Sequence, residues 1–190
     1  MTKTITTEYP VIELIKNRWS PRSFSDKALT ETDIKTVVEA ASWAPSAFNE
    51  QPWQFYYALR GGKGFERMLD CLSAFNQLWV KNAAALVLSI GKKNFANGEC
   101  NTSYAHDCGL ANATMLMQAT SMGFYGHPMT GYFADKIVDL FKLDETLYAP
   151  VCMTAFGYLD SPDKLVDEMM QQREAAPRVR KPLNEILEKF

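Results

Sequence analysis

Four stretches of this chain carry side chains or backbone groups suited to holding an anion or a polar ring. Arg18-Trp19-Ser20-Pro21-Arg22 sets two guanidiniums and a hydroxyl side by side. Arginine's planar fork suits bidentate contact with phosphate oxygens or with a carbonyl-rich ring. The plainer reading is a solvated helix end whose arginines complement the dipole. A second basic cluster, Arg178-Val179-Arg180-Lys181-Pro182, lies near the C-terminus. In extended chain, residues two apart face the same way, so Arg178 and Arg180 can grip one anion together. Alone, such a run is ordinarily a solvated surface. Two arginine clusters in a chain of net charge −2 argue instead for one shared phosphate. The third stretch, Ala44-Pro45-Ser46-Ala47-Phe48-Asn49-Glu50-Gln51-Pro52-Trp53, packs hydroxyl and amide groups between apolar runs and reads as a loop for a polar, planar ligand. The fourth, Gly126-His127-Pro128-Met129-Thr130-Gly131, precedes a helix, where exposed backbone N–H groups can donate to a ligand, unless it is a plain Gly-Pro turn.

Other chemistries find no support. There is no GxGxxG after a strand and no P-loop, which removes the Rossmann and NTPase readings. Ser46 lacks a GxSxG setting, and Cys108 beside Asp107 has no activating partner, so acyl transfer is not indicated. His106 and His127 are the only histidines, which excludes a histidine-rich metal site. The four cysteines are scattered without a CxxC pair, as expected of free thiols in a reducing cytoplasm. The charge exerts no pull toward nucleic acid or anionic membrane. The longest apolar run, near residues 83–90, is too short to span a bilayer.

The elements that must position these residues follow from periodicity. At 190 residues with 47% hydrophobic content, the chain is expected to form one domain, residues 1–190, with a substantial core. Residues 9–18 are read as a helix with Pro10 in its first turn, broken by Pro21. Thr30-Glu31-Thr32-Asp33 reads as a capping box for a helix burying Ile34, Val37, Val38 and Ala41 and ending before Pro45. Strands are expected at residues 54–59, 84–90 and 151–158, the second buried on both faces. Residues 65–81 read as mostly helical, residues 92–102 as a mobile polar excursion, and residues 103–122 as a buried central helix. A further helix is expected to turn Phe133, Ile137, Leu140 and Phe141 inward, and another to start at Ser161-Pro162-Asp163. Strands separated by helices without regular alternation predict an α+β fold with a small mixed, mostly antiparallel sheet.

With these motifs in place, the chain resembles the FMN-dependent nitroreductase family. Arg18-Trp-Ser-Pro-Arg22-Ser-Phe24 is similar to that family's Arg-x-Ser-x-Arg-x-Phe opening, and residues 44–53 to its Pro-Ser-x-x-Asn-x-Gln-Pro-Trp loop. Arg178-Val-Arg180-Lys-Pro182-Leu is similar to its C-terminal basic segment. The motifs fall in family order across essentially the whole chain. The resemblance implies a nitroreductase-like homodimer with FMN at the subunit interface and a C-terminal segment reaching the partner. It implies that Arg18, Trp19, Ser20 and Arg22 contact the flavin, with Arg178 and Arg180 completing the phosphate grip. Pro45, Ser46, Ala47, Asn49 and Gln51 would reach the flavin held by the other subunit. Asn76 matches a ring-contacting asparagine, and Pro128, Met129, Thr130 and Gly131 match a stretch whose backbone faces the ring. Thr130 stands where some members carry an acidic residue, and Ala47 where a second serine is frequent. No catalytic side chain is required, since the flavin carries the redox chemistry. The implied activity is ping-pong hydride transfer from NADH or NADPH to nitroaromatics, quinones or similar flat acceptors, in the cytoplasm. Flavin-using dehalogenases, enal or semialdehyde reductases, flavin-fragmenting proteins and a flavin store with negligible turnover remain open.

Overall fold

A computed structural model describes residue 3 and residues 5–190. Its helices are α1 (Glu13–Asn17), α2 (Glu31–Ser42), α3 (Lys63–Leu69), α4 (Ala74–Val80), α5 (Tyr104–Ser121), α6 (Ala134–Phe141) and α7 (Glu168–Ala175). The strands are β1 (Trp53–Leu59), β2 (Ala85–Lys92), β3 (Tyr125–Met129) and β4 (Tyr148–Gly157). They form one sheet in the order β1-β2-β4-β3. The α+β expectation holds, and every strand pairing is antiparallel.

β2 is the spine. Its residues from Ala85 to Gly91 are all buried. Successive strand side chains point to opposite faces, so β2 feeds two cores. Leu86, Leu88 and Ile90 pack with Phe65, Leu72, Trp79, Ile137 and Met153 on one face. Ala85 and Val87 pack with Ile34, Val37, Met115 and Phe124 on the other. Burying one such aliphatic side chain contributes about 1.5–3 kcal/mol, which is why α2 and α5 lie flat against the sheet. α2 begins with the predicted box: Thr30 accepts from Asp33 N, and Asp33 accepts from Thr30 N at 2.8 Å.

Several expectations are corrected. β3 overlaps the stretch read only as a lead-in to a helix or a plain turn, because Gly126 and Pro128 hide the strand pattern. Pro128 is accommodated since β3 is an edge strand and its missing N–H need not meet a neighbour. Gly126 is required by packing: a Cβ there would meet Leu116 Cδ2 at 2.4 Å and Phe156 Cε1 at 2.5 Å. The first helix is only Glu13–Asn17 and begins after Pro10. The stretch read as mostly helical over 65–81 is so, as two helices, α3 and α4, separated by residues 70–73. Phe133 precedes α6 and is 46% exposed, because α6 presents only Ile137 as a fully buried side chain. Ser161-Pro162-Asp163 opens a single 3₁₀ turn, Pro162–Lys164, while α7 starts later with Asp167 accepting from Met170 N at 2.8 Å. The excursion at 92–102 is hydrogen-bonded: Phe95 N–H donates to Glu99 O (2.8 Å), Asn101 N–H to Lys93 O (2.8 Å), and the Asn101 side chain is buried. Beyond α7 the tail is irregular apart from a 3₁₀ turn at Leu183–Glu185, leaving Ile186, Leu187 and Phe190 exposed. No helix among the described residues is long and apolar enough to cross a membrane.

Candidate functional site

After α1 the chain becomes extended at Arg18 (φ −65°, ψ 124°) and runs along the end of β4. Ser25 N–H donates to Tyr158 O (2.9 Å), and Asp160 N–H to Ser23 O (3.0 Å). Trp19 is buried edge-on against Tyr125 of β3, with centroids 6.4 Å apart. From α7, the buried carboxylate of Glu174 accepts from Arg22 N at 2.9 Å and Ser23 N at 3.1 Å. These contacts fix the backbone that presents Arg18, Ser20 and Arg22.

The tail leaves α7 and returns to the same place. Arg178 Nη1 donates to the backbone oxygens of Lys3 (3.0 Å) and Lys16, and Lys3 Nζ donates to Ala176 O at 2.7 Å. The result is a pocket of about 230 Å³ whose walls include Arg18, Trp19, Ser20, Arg22, Arg178 and Arg180, together with Lys3 and Arg173. The single carboxylate lining it is Glu174. Six cations therefore face one anion. Burial lowers the pKa of Arg18, and the charges of Arg178 and Arg180 add to the effect. Arg22 is lowered by burial against the opposing pull of Glu174, and Arg178 by burial and then Arg180. Guanidiniums stay protonated regardless, so the lowering expresses chiefly the burial of these charges, with the repulsion among Arg18, Arg178 and Arg180 adding to it. Trp19, which lines the same pocket, keeps its Nε1 buried and without a hydrogen-bond partner among the described residues.

β3 and α4 supply the adjoining surface. Asn76 of α4 donates through Nδ2 to Gly131 O (3.1 Å), and that oxygen also takes Ser73 N–H (3.0 Å). A Cβ on Gly131 would stand 2.7 Å from Asn76 Nδ2, so glycine is what permits this approach. The candidates Asn76 and Gly131 thus meet, 55 residues apart in sequence. Pro128 and Met129 lie in β3, with Met129 buried and Thr130 exposed just after it. His127 joins this surface to the arginine segment. Its ring lies 4.6 Å from that of Trp79, its Nδ1 is 2.9 Å from Pro21 O, and the Arg22 guanidinium lies 6.0 Å from the Trp79 ring. Burial, reinforced by the Arg22 charge, pushes the His127 pKa down to about 4. A neutral imidazole at that distance from a carbonyl carries its proton on Nδ1 and donates it.

The loop after α2 stands apart. Phe48, Asn49 and Gln51 adopt left-handed backbone, with φ of 54°, 56° and 51°. That conformation costs roughly 1–2 kcal/mol for an ordinary L-residue and least for asparagine. Inside the loop, Ser46 Oγ accepts from Gln51 N (3.0 Å) and Ser46 O from Asn49 N (3.0 Å). Ala47 N–H donates at 3.0 Å to Asp107 Oδ2 on α5. Phe48 is 92% exposed, its ring edge-on to Phe95 of the excursion at 5.8 Å. Pro45, Asn49 and Gln51 are exposed. No hydrogen bond among the described residues joins 45–51 to the arginine pocket.

The structure therefore gathers the arginine, Trp19 and Ser20 candidates in one pocket, brings Asn76 and Gly131 into contact with each other, and leaves the loop separate. Sequence reasoning missed Lys3, Arg173, Glu174, His127 and Asp107. For Asp107 a signal existed, an acidic residue in the first turn of a long apolar helix. Glu174 sits in a run of polar helix residues that nothing local distinguishes from a solvated face. Cys108 is pushed up to about 12 by burial and by the Asp107 charge, which removes it as a nucleophile.

Comparison with known proteins places this architecture among the nitroreductases. The chain matches the Nitroreductase family over residues 15–106 and 73–158 and belongs to that family. A solved structure described as an oxidoreductase containing FMN is 31% identical, with a TM-score of 0.91 over 97% of this chain and 93% of that one. A Desulfovibrio desulfuricans protein solved in complex with FMN shares the fold, with a TM-score of 0.75 at 22% identity over 97% of this chain and 99% of that one. The Bacillus subtilis protein YdgI, provisionally named an NAD(P)H nitroreductase, is 24% identical over 183 residues, 77% of this chain and 87% of its own length.

Proposed function

We propose that this protein is an FMN-dependent NAD(P)H oxidoreductase that reduces nitroaromatics, quinones or similar flat acceptors, working in the cytoplasm as a homodimer of single-domain chains. The observation that carries the reading is the convergence of Arg18, Arg22, Arg178 and Arg180, from opposite ends of the chain, on a pocket with one carboxylate. Such a pocket fits a phosphate monoester, because a dianion compensates half-buried guanidiniums that also repel one another.

When bound, FMN supplies a two-electron carrier that accepts hydride from NADH or NADPH and returns it to a second substrate in the same place. The chain's own residues bind and orient. Arg18, Ser20, Arg22, Arg178 and Arg180 hold the phosphate and ribityl end, with Trp19 backing them. Asn76 and the backbone of Pro128, Met129, Thr130 and Gly131 face the ring edge, and neutral His127 holds Pro21 in place through its Nδ1 proton. Pro45, Ser46, Ala47, Asn49 and Gln51 serve the ring of the partner subunit's flavin. A second copy is also suggested by the apolar surface left uncovered: Ile186, Leu187 and Phe190 of the tail, and Ala105, Gly109 and Ala113 along α5.

Purified protein is expected to be yellow and to bleach on adding NADH or NADPH without oxygen, then to recolour with a nitroaromatic or a quinone. A yellow protein that neither nucleotide bleaches removes the NAD(P)H reductase reading and leaves storage or a donor-independent chemistry. A colourless protein that takes up no added FMN removes the flavin reading. Conditions that dissociate the dimer are expected to release the flavin.

A further inference from the structure

We propose that Asp107 is the positioning residue of the 45–51 loop, the group that holds this half of the site in the shape a flavin ring needs. The proposal rests on the flavin reading given above. Its motive is an imbalance between what the loop is made to do and what holds it there. Three non-glycine residues in a span of four take left-handed backbone, one of them the bulky Phe48 with its side chain almost wholly in solvent. Strain of this kind persists only where surroundings over-determine it. The bonds from Ser46 Oγ and Ser46 O curl the loop on itself but do not anchor it to the body of the protein. Among the described residues, the one hydrogen bond from 45–51 to another element runs from Ala47 N–H to Asp107 Oδ2.

Asp107 is built for that task. It is 2% exposed, and a buried carboxylate is costly unless its oxygens are met. Oδ2 takes the Ala47 N–H, and Oδ1 lies 3.0 Å from His106 Nδ1. Its place in the first turn of α5 adds the favourable end of the helix dipole. α5 is itself sealed against the sheet through Ala111, Met115 and Ala119. The loop is thereby referenced to the longest helix of the fold. A charged acceptor also makes a stronger bond to a backbone donor than a neutral one does. The exposed Asn49 side chain, without a hydrogen-bond partner among the described residues, is then displayed at a fixed height and angle.

The test uses the full-length protein freed of flavin, titrated with FMN, with riboflavin and with inorganic phosphate. Asp107→Ala is expected to weaken FMN and riboflavin by the same factor, about 10- to 100-fold for a lost charge-assisted bond. Its thermal stabilisation by inorganic phosphate should stay at the wild-type value, because the arginine pocket is untouched. Asp107→Asn keeps an oxygen acceptor for the Ala47 N–H and is expected to recover most of the affinity. Ala47→Pro removes the donor from the other side and leaves α5 intact, so it carries the test even if Asp107→Ala does not fold. Ser46 is already extended (φ −146°, ψ 155°), as the residue before a proline prefers. Wild-type FMN affinity in both Asp107→Ala and Ala47→Pro would overturn the proposal. So would a parallel loss of phosphate binding, which marks general destabilisation. A wild-type protein that binds phosphate but neither flavin points to a different failure, that of the flavin reading itself.

Discussion

Around the arginine pocket the chain concentrates charge of one sign, whereas in the 45–51 loop it concentrates backbone strain. The pocket draws on residues from both ends of the sequence and is closed by Glu174, which accepts two backbone N–H groups. Its unfavourable energy comes from burying cations and, to a smaller extent, from their mutual repulsion, and under the proposed function an anion compensates both. The loop draws on a few consecutive residues and is tied to the body by one carboxylate. Its unfavourable energy is conformational, and a ligand exploits it without removing it. Under the proposed function the two regions are halves of one site prepared by different means: buried charge that a ligand compensates, and a shape that a ligand finds already made.

The comparison can be broken hardest at the pocket. Replacing Arg18 and Arg180 together with alanine is expected to weaken FMN by about a thousandfold, since charge-assisted bonds contribute roughly 1.5–3 kcal/mol each. The flavin-free variant should melt no lower than wild type, as the arginines repel one another; flavin fluorescence titration and a melting curve check both. A lower melting temperature with unchanged FMN affinity would make the cluster structural.

The next effect is a pH dependence confined to the pocket side. The His127 pKa is about 4 in the folded protein against an ordinary 6.5. Because the unfolded chain binds the proton more readily, stability is fully present above about 6.5 and is lost as pH falls toward 4, by about 3 kcal/mol in total. Denaturant midpoints across that range should slope accordingly, and His127→Gln should flatten the slope. Smaller still is Gly126→Ala. The new Cβ would strike Leu116 and Phe156 and cost about 1–3 kcal/mol in chemical unfolding. That substitution disturbs β3, which carries part of the pocket side, and should leave the Asp107 contact intact. The smallest effect has the opposite sign. Phe48→Gly removes left-handed strain and is expected to raise the melting temperature of the flavin-free protein by about 2–4 °C. A lower melting temperature would mean that the Phe48–Phe95 contact outweighs the strain.

The sequence alone determined a good deal. Continuous hydrophobicity over 84–90 identified the central strand because a strand buried on both faces cannot alternate. The capping box at Thr30 marked the start of α2, since both of its partners lie within one helical turn. The arginine clusters and the amide-rich loop were visible as residue types at short spacing. What escaped were features whose cause lies elsewhere in the chain. β3 was hidden by Gly126 and Pro128, which are tolerated there only because helix α5 presses close and the strand is an edge. Glu174 looks like any solvated helix residue until the fold brings Arg22 and Ser23 onto it. Asp107 was read only as a neighbour of Cys108, since its partner Ala47 lies 60 residues away. Local propensity and side-chain chemistry are written within a few residues, but burial, Coulomb repulsion between the chain's two ends and the anchoring of a strained loop exist only once distant segments share a space. The sequence named the residues that can hold a phosphate and a ring; the tertiary structure decided that the arginines meet in one pocket and that the loop stands apart from it.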